Sequence, residues 1–342
     1  MRQIILGRTK LSVGASSFGA LPIQRLSKEE ASYLLRLAYE KGMNYFDTAY
    51  SYTDSEEKIG LALSDVRDKI VISTKSGASD RETLVKHAEE SLRRLKTDYI
   101  DILQLHNPKT VPLEGDELYE GLLDLKKRGI IRFIGYTNHS SQRAEQAVRS
   151  GLYDTIQYPF SYLSSDREIK LYELARNSDV GFIAMKALSG GLISNATGAK
   201  AFFNTLPFAV PIWGIQRERE LMEFICLEED PPRYDDDMKT LIEREKKELS
   251  GSFCRACGYC MPCPVGIDIT LSARMKLLLS RMPYEQFMNE HTMERMLRVN
   301  DCKNCRKCVE RCPYGLDTPS HLKENLAYYL DFAEKYKSNE KN

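Results

Sequence analysis

Short apolar runs recur along the first 225 residues, at positions 13–18, 43–46, 70–73, 99–105, 130–136, 154–158, 180–185 and 208–213. Several are rich in Ile and Val, and their length and lack of alternation predict strands buried on both faces. Between them the apolar positions switch to helical spacing. A first helix is predicted behind Ser27, where Glu30 completes a capping-box spacing. Leu34, Leu35, Leu37 and Ala38 then share one face until Gly42 stops the helix. Positions 81–95 repeat the pattern with Leu84, Val85, Ala88, Leu92 and Leu95, and 118–127 and 168–175 follow. Strands alternating with helices mean a parallel sheet, and eight of them favour closure into a (β/α)8 TIM barrel. An open doubly wound sheet is the alternative, but no G-x-G-x-x-G follows the first strand.

The rest of the chain is built differently. Residues 235–248 are strongly charged and predict a linker helix, and 272–298 are helical in pattern and rich in Leu and Met. The expected division is therefore a barrel over 1–225, a charged helical linker over 226–250 and a small, mainly α-helical domain over 251–342. Of nine cysteines, eight fall between Cys254 and Cys312; Cys226 stands apart and is expected to be a buried structural thiol. Lys+Arg and Asp+Glu are both 49, which argues against a whole-chain basic footprint for nucleic acid or anionic membrane. No apolar run approaches the roughly 18 residues of a membrane span, and residues 1–25 lack an export-signal layout. A cytoplasmic location follows as an expectation, and in a reducing compartment clustered cysteines point to metal ligation rather than disulfides.

Barrels of this kind carry their chemistry at the C-terminal ends of the strands. Those ends hold Asp47, Lys75 and His106 after the second, third and fourth strands, then Asn138, Gln157 and Lys186 around the fifth to seventh. Tyr52 lies five residues past Asp47, on the loop leaving the same strand. A tyrosine titrates near 10 in water, too high for ready proton exchange at neutral pH. A neighbouring lysine would lower it, an aspartate would hold that lysine charged, and a histidine could orient a carbonyl oxygen or relay the proton. Taken singly, each residue is as easily structural. Their convergence points to an acid–base site that protonates a carbonyl oxygen as hydride reaches its carbon.

On these residues, 1–225 resemble the aldo-keto reductase superfamily. Ile5-Leu6-Gly7-Arg8-Thr9 resembles its N-terminal hairpin, and Asn44-Tyr45-Phe46-Asp47-Thr48-Ala49, with Tyr52, Ser55-Glu56 and Gly60, resembles its signature. Ser73-Thr74-Lys75 and Asp101-Ile102-Leu103-Gln104-Leu105-His106 are similar to its lysine and histidine strands. The resemblance implies a tetrad of Asp47, Tyr52, Lys75 and His106 with Tyr52 as general acid, and NADP(H), or else NAD(H), bound across the barrel mouth. It implies cofactor contacts at Gly19, Thr137, Asn138, Gln157, Met185, Lys186, Gly214, Gln216, Arg217 and Glu223. Met185 stands where the family has an aromatic ring against the nicotinamide, and Phe224 departs from a family Glu-Asn ending. Arg217 could pair with a 2′-phosphate, which tilts the expectation to NADPH.

The cysteines read Cys254-x2-Cys257-x2-Cys260-x2-Cys263-Pro264 and Cys302-x2-Cys305-x2-Cys308-x3-Cys312-Pro313. Paired C-x2-C can make zinc sites, but four cysteines and a proline, twice over, fit the bacterial ferredoxin pattern. Two [4Fe-4S] clusters are expected, crossed so that Cys254, Cys257, Cys260 and Cys312 hold one and Cys302, Cys305, Cys308 and Cys263 the other. The first motif is one residue short before Cys263. The whole chain resembles the aldo-keto reductases that carry a C-terminal ferredoxin-type domain. The activity implied is NAD(P)H-dependent reduction of an aldehyde or ketone, with an electron-transfer protein as a possible partner and neither nucleic acid nor membrane. The alternatives are a redox module passing electrons between NAD(P)H and an external carrier, or a non-catalytic NAD(P)H sensor. Nothing in the loops names the substrate.

Overall fold

The computed structural model describes residues 1–191, 193–249, 254–255, 258, 260–281, 283–312 and 315–339, in two compact units, Met1–Ile242 and Glu243–Asn342. The first unit opens with an antiparallel hairpin of β1 (Gln3–Ile5) and β2 (Ser12–Gly14), with Ile4 opposite Val13. Eight parallel strands then close a barrel: β3 (Ser17–Gly19), β4 (Tyr45–Asp47), β5 (Val71–Ser76), β6 (Ile100–His106), β7 (Ile131–Thr137), β8 (Thr155–Pro159), β9 (Gly181–Met185) and β10 (Ala209–Gly214), with β10 returning to β3. The eight apolar runs thus become the eight barrel strands, with one correction. The run 13–18 is not a single strand. Gly14 ends the hairpin with its N–H on the Asn44 side-chain oxygen, the Ser17 hydroxyl closes a turn back to the Gly14 carbonyl, and the barrel begins only at Ser17. Ile4, Leu6, Leu11 and Val13 of the hairpin pack with Tyr45, Val71, Ile102, Ile183 and Val210 from the strands, closing the lower end of the barrel.

The helices of this unit are α1 (Lys28–Glu40), α2 (Ser55–Leu63), α3 (Arg81–Leu95), α4 (Glu117–Lys127), α5 (Ser141–Ser150), α6 (Asp166–Asn177), α7 (Ala196–Asn204) and α8 (Glu218–Glu229). Helix α1 carries the capping box between Ser27 and Glu30. Helix α2 escapes a hydrophobic reading because its buried face includes polar groups: Glu56 and Lys58 are each 1% exposed. Their charges are met locally, Lys58 by the Ile23 carbonyl and Asp54, Glu56 by Thr74 and Arg94. Cys226 is exposed, against expectation. Leu221, Phe224 and Ile225 turn inward from α8, and 226 falls on the outer face of the same helix. The charged stretch forms α9 (Asp236–Leu249).

The second unit holds α10 (Ile269–Ser272), α11 (Met275–Arg281), α12 (Glu290–Leu297), α13 (Lys307–Glu310) and the long α14 (Thr318–Asn339). The stretch 272–298 is helical in pieces rather than continuous: Pro283 cannot extend a helix, and Asn289 caps the next one by accepting from the Thr292 N–H. The core gathers Ile267, Ile269, Met275, Met296, Val299, Leu316, Leu322 and Tyr329, with Cys254 buried in it and Cys260, Cys263, Cys302, Cys308 and Cys312 packed against it. Cys257 lies outside the described residues.

Candidate active site

Parallel register sets Asp47 at the end of β4 beside Ser73 of β5, and Lys75 of β5 beside Gln104 of β6. The Lys75 ammonium lies 2.6 Å from Asp47 Oδ2 and also donates to the Thr48 carbonyl. Asp47 accepts three more bonds, from Ser73 Oγ at 2.6 Å and from Gln104 Nε2 and Gln157 Nε2 at 3.2 Å each. Asp47 is 3% exposed and Lys75 1%. Burial pulls the ammonium's pKa down, while the carboxylate's charge and hydrogen bond hold it up. The result is a buried ion pair whose negative member is fixed from four directions.

Tyr52 follows on a turn, its N–H on the Ala49 carbonyl and its own carbonyl accepting from the Ser55 N–H. Its ring centroid is 5.3 Å from Lys75 Nζ and 5.9 Å, edge to face, from the His106 ring. The four strand-end residues therefore do converge. One expectation fails: the Tyr52 hydroxyl is pushed up, not down, by burial first and then by the Asp47 charge. The reason is burial first: out of water the phenolate loses its solvation, and the Asp47 charge adds to the cost. Tyr52 is a phenol that keeps its proton.

His106 is pushed down to about 3 by burial and then by the Lys75 charge, so it is neutral at ordinary pH. The unfolded chain, titrating at 6.5, binds a proton that the folded protein refuses between the two values. Stability tied to His106 is thus complete above 6.5 and falls as pH drops toward 3. His106→Asn should flatten that acid limb. Urea midpoints at pH 5 and 7 check this: the parent protein should lose more stability on acidification than the variant, and equal losses would refute it.

The residues expected to hold a nicotinamide dinucleotide divide into groups. Gly19 and Gly214 pair across β3 and β10, and a Cβ on Gly19 would stand 3.0 Å from the Trp213 carbonyl oxygen. Thr137 and Gln157 are buried at neighbouring strand ends, and Gln157 Oε1 is a buried acceptor with no hydrogen-bond partner among the described residues. That orphan oxygen suits an amide donor such as a carboxamide. Met185 and Lys186 are half-buried at the end of β9, with Lys186 Nζ 3.3 Å from His139 Nδ1. Asn138 differs: its side chain is buried and already bonded, donating to the Pro108 carbonyl and the Tyr136 hydroxyl and accepting from the Ser140 N–H. Arg217 and Glu223 are exposed on and before α8, and the Glu220 carboxylate takes the N–H groups of Gln216 and Arg217. Phe224 stacks on Trp213 at 4.1 Å, so it belongs to the core.

Ser73 and Gln104, which fix Asp47, escaped the sequence reading. Parity could have found Gln104, since 102, 104 and 106 point to one side of a strand that ends in His106.

In the second unit a cavity of about 180 Å³ is lined by Cys260, Cys263, Cys302, Cys305 and Cys308, with Lys303, Arg306 and Lys307. Cys263, whose spacing departs from the ferredoxin pattern, thus shares a cavity with the first three cysteines of the second motif. At Cys254 the fit to a cluster rests on charge. Arg274 Nε is buried without a hydrogen-bond partner among the described residues; burial works against the guanidinium's charge, and Cys254 offsets only part of that. A buried cation needs a negative neighbour, which thiolates around iron would supply.

Comparison with known proteins bears on the family and the fold. The aldo/keto reductase family pattern matches residues 10–207, and the 4Fe-4S dicluster domain pattern matches 253–317. The chain is 27% identical over 201 residues to the aldo-keto reductase YhdN of Bacillus subtilis, covering 54% of this chain and 60% of that protein. It is 28% identical over 276 residues to the NADH-specific methylglyoxal reductase of Escherichia coli, covering 70% of this chain and 84% of that one. Among solved structures, a putative aldo-keto reductase from Pseudomonas aeruginosa superposes with a TM-score of 0.60 at 26% identity, covering 66% of this chain and 93% of that one. The holo form of an aldo-keto reductase from Bacillus halodurans gives 0.64 at 21% identity, covering 72% and 96%, a likeness of fold. With the barrel, its strand-end ion pair and a family pattern spanning more than half its length in agreement, the chain belongs to the aldo/keto reductase family and carries a C-terminal 4Fe-4S dicluster domain.

Proposed function

We propose that the barrel reduces an aldehyde or ketone with NAD(P)H, and that Tyr52 is its general acid. The observation that carries this reading is the buried Asp47–Lys75 pair lying beneath a protonated Tyr52 and a neutral His106. A bound nicotinamide would supply hydride to the carbonyl carbon. The protein's part is the proton and its placement. Tyr52 donates to the carbonyl oxygen as negative charge develops there, and Lys75, held charged by Asp47, stabilises the phenolate that remains. Neutral His106 can hydrogen-bond the same oxygen without competing for the proton. Gln157 and Thr137 would hold the carboxamide, and Arg217 would meet an adenosine phosphate. Asn138, already bonded on both sides of its amide, would brace the wall rather than touch the ligand.

The cysteines would hold two [4Fe-4S] clusters, in the crossed arrangement given above. Cys305→Ala should lower iron from about eight to about four atoms per chain, consistent with cubane clusters on four thiolates each; loss of all iron would show that the two sites stand or fall together. A second reading, electron flow between nicotinamide and the clusters, draws on the exposure of Cys305. The test is anaerobic: NADPH alone, then NADPH with a panel of aldehydes and ketones, followed by EPR and product assay. Product formation with silent clusters supports an autonomous reductase. Cluster reduction by NADPH alone, without product from any carbonyl, would overturn it.

A further inference from the structure

The second cysteine motif carries a charge pattern that carbonyl reduction does not use. Within 301–312 stand four cations, Lys303, Arg306, Lys307 and Arg311, against two carboxylates, Asp301 and Glu310, and all six are exposed. In a chain with equal numbers of acidic and basic residues, this is a local excess. Its placement is specific. Lys303, Arg306 and Lys307 line the same cavity as Cys302, Cys305 and Cys308. Arg306 has a carboxylate at hand, Asp317 at 3.5 Å; Lys303, Lys307 and Arg311 have none within ion-pair distance among the described residues. Asn304 and Arg306 have φ values of 48° and 58°, a left-handed turn on either side of Cys305 that non-glycine residues adopt at a cost. That turn leaves Cys305 exposed while its neighbours Cys302 and Cys308 stay partly buried.

We propose that this face docks a small, acidic, one-electron carrier protein, and that one electron crosses at the Cys305 edge. The inference rests on the reading that these cysteines hold a redox-active cluster. No bond forms and no proton moves: the cluster loses one electron as the carrier gains one, or the reverse. An exposed ligand thiolate shortens the path for that electron, and the cations beside it, three of them without an ion pair among the described residues, steer an acidic partner onto it. Asp301 and Glu310 in the rim count against a nucleic acid, whose unbroken line of phosphates would meet them. A transient redox encounter needs only a small contact area, which a single exposed turn can offer.

The experiment uses the full anaerobic protein with its clusters and an acidic [2Fe-2S] ferredoxin as probe. Dissociation constants are measured by calorimetry at low and at physiological ionic strength, for the parent and for a Lys303→Glu/Lys307→Glu double variant. The parent should bind and weaken as salt rises, and the double variant should bind about tenfold or more weakly. Iron content and dithionite-reduced EPR are recorded for both. If the double variant loses iron, Arg311→Glu, which lies off the cavity lining, replaces it with the same expectation. Equal binding by parent and variant, or a parent with intact EPR signals that does not bind, would overturn the docking face and leave the cluster reading standing. A parent that holds iron but gives no signal with dithionite would overturn both. Competition by duplex DNA at equivalent charge would assign the face to a polyanion instead and overturn the proposal.

Discussion

Tyr52→Phe is expected to lower the turnover number for carbonyl reduction by roughly 10²–10⁴-fold, the span that positioned general acids supply. The affinity for nicotinamide cofactor should stay within about twofold, because the change removes one hydroxyl and leaves the ring between Lys75 and His106. Steady-state kinetics with a fluorescence titration of cofactor would separate these quantities. The raised pKa of Tyr52 sharpens the expectation. A phenol that holds its proton this firmly stays protonated through neutrality, so turnover should show no falling limb there from its ionisation. Retained turnover in the phenylalanine variant would remove Tyr52 from the proton transfer.

The second large effect concerns stability. Asp47→Asn would strand a buried ammonium against a neutral amide, and breaking a buried pair from one side costs about 3–5 kcal/mol. Asp47→Asn/Lys75→Met removes both charges and should recover most of that loss, while activity stays absent in both. Trp213 makes this measurable. It is the chain's single tryptophan, 1% exposed on β10, so its fluorescence in urea follows the barrel and not the cysteine unit. If single and double variants unfold at the same urea concentration, the pair contributes nothing as a unit.

The barrel could be read because strands buried on both faces leave unbroken apolar runs, and the places of Asp47, Lys75 and His106 because strand ends are fixed points of such a fold. Where polar groups are buried the reading failed. Helix α2 hides Glu56 and Lys58 inside, and Ser73 and Gln104 look like ordinary strand residues until Asp47 is seen to need them. The start of the first barrel strand is hidden because Val13 and Gly14 of the hairpin run into Ser17 and Phe18 with only small residues between, and so pass for part of the same strand. Phe224 and Cys226 show the limit of position along a helix: two residues apart, one stacks on Trp213 and the other faces water. The direction of the Tyr52 shift is also beyond spacing alone, since it is set first by how deeply the phenol is buried and then by the Asp47 charge.

The hairpin floor has a consequence for traffic through the enzyme. With Ile4, Leu6, Leu11 and Val13 sealing the lower end, the upper rim is the entrance and also the exit. If the proposed carbonyl reduction holds, substrate and product would pass the same rim, and the proton that restores Tyr52 would enter there as well. Entry, departure and proton resupply would then share one doorway, and added viscosity would slow turnover to the extent that passage through it is limiting.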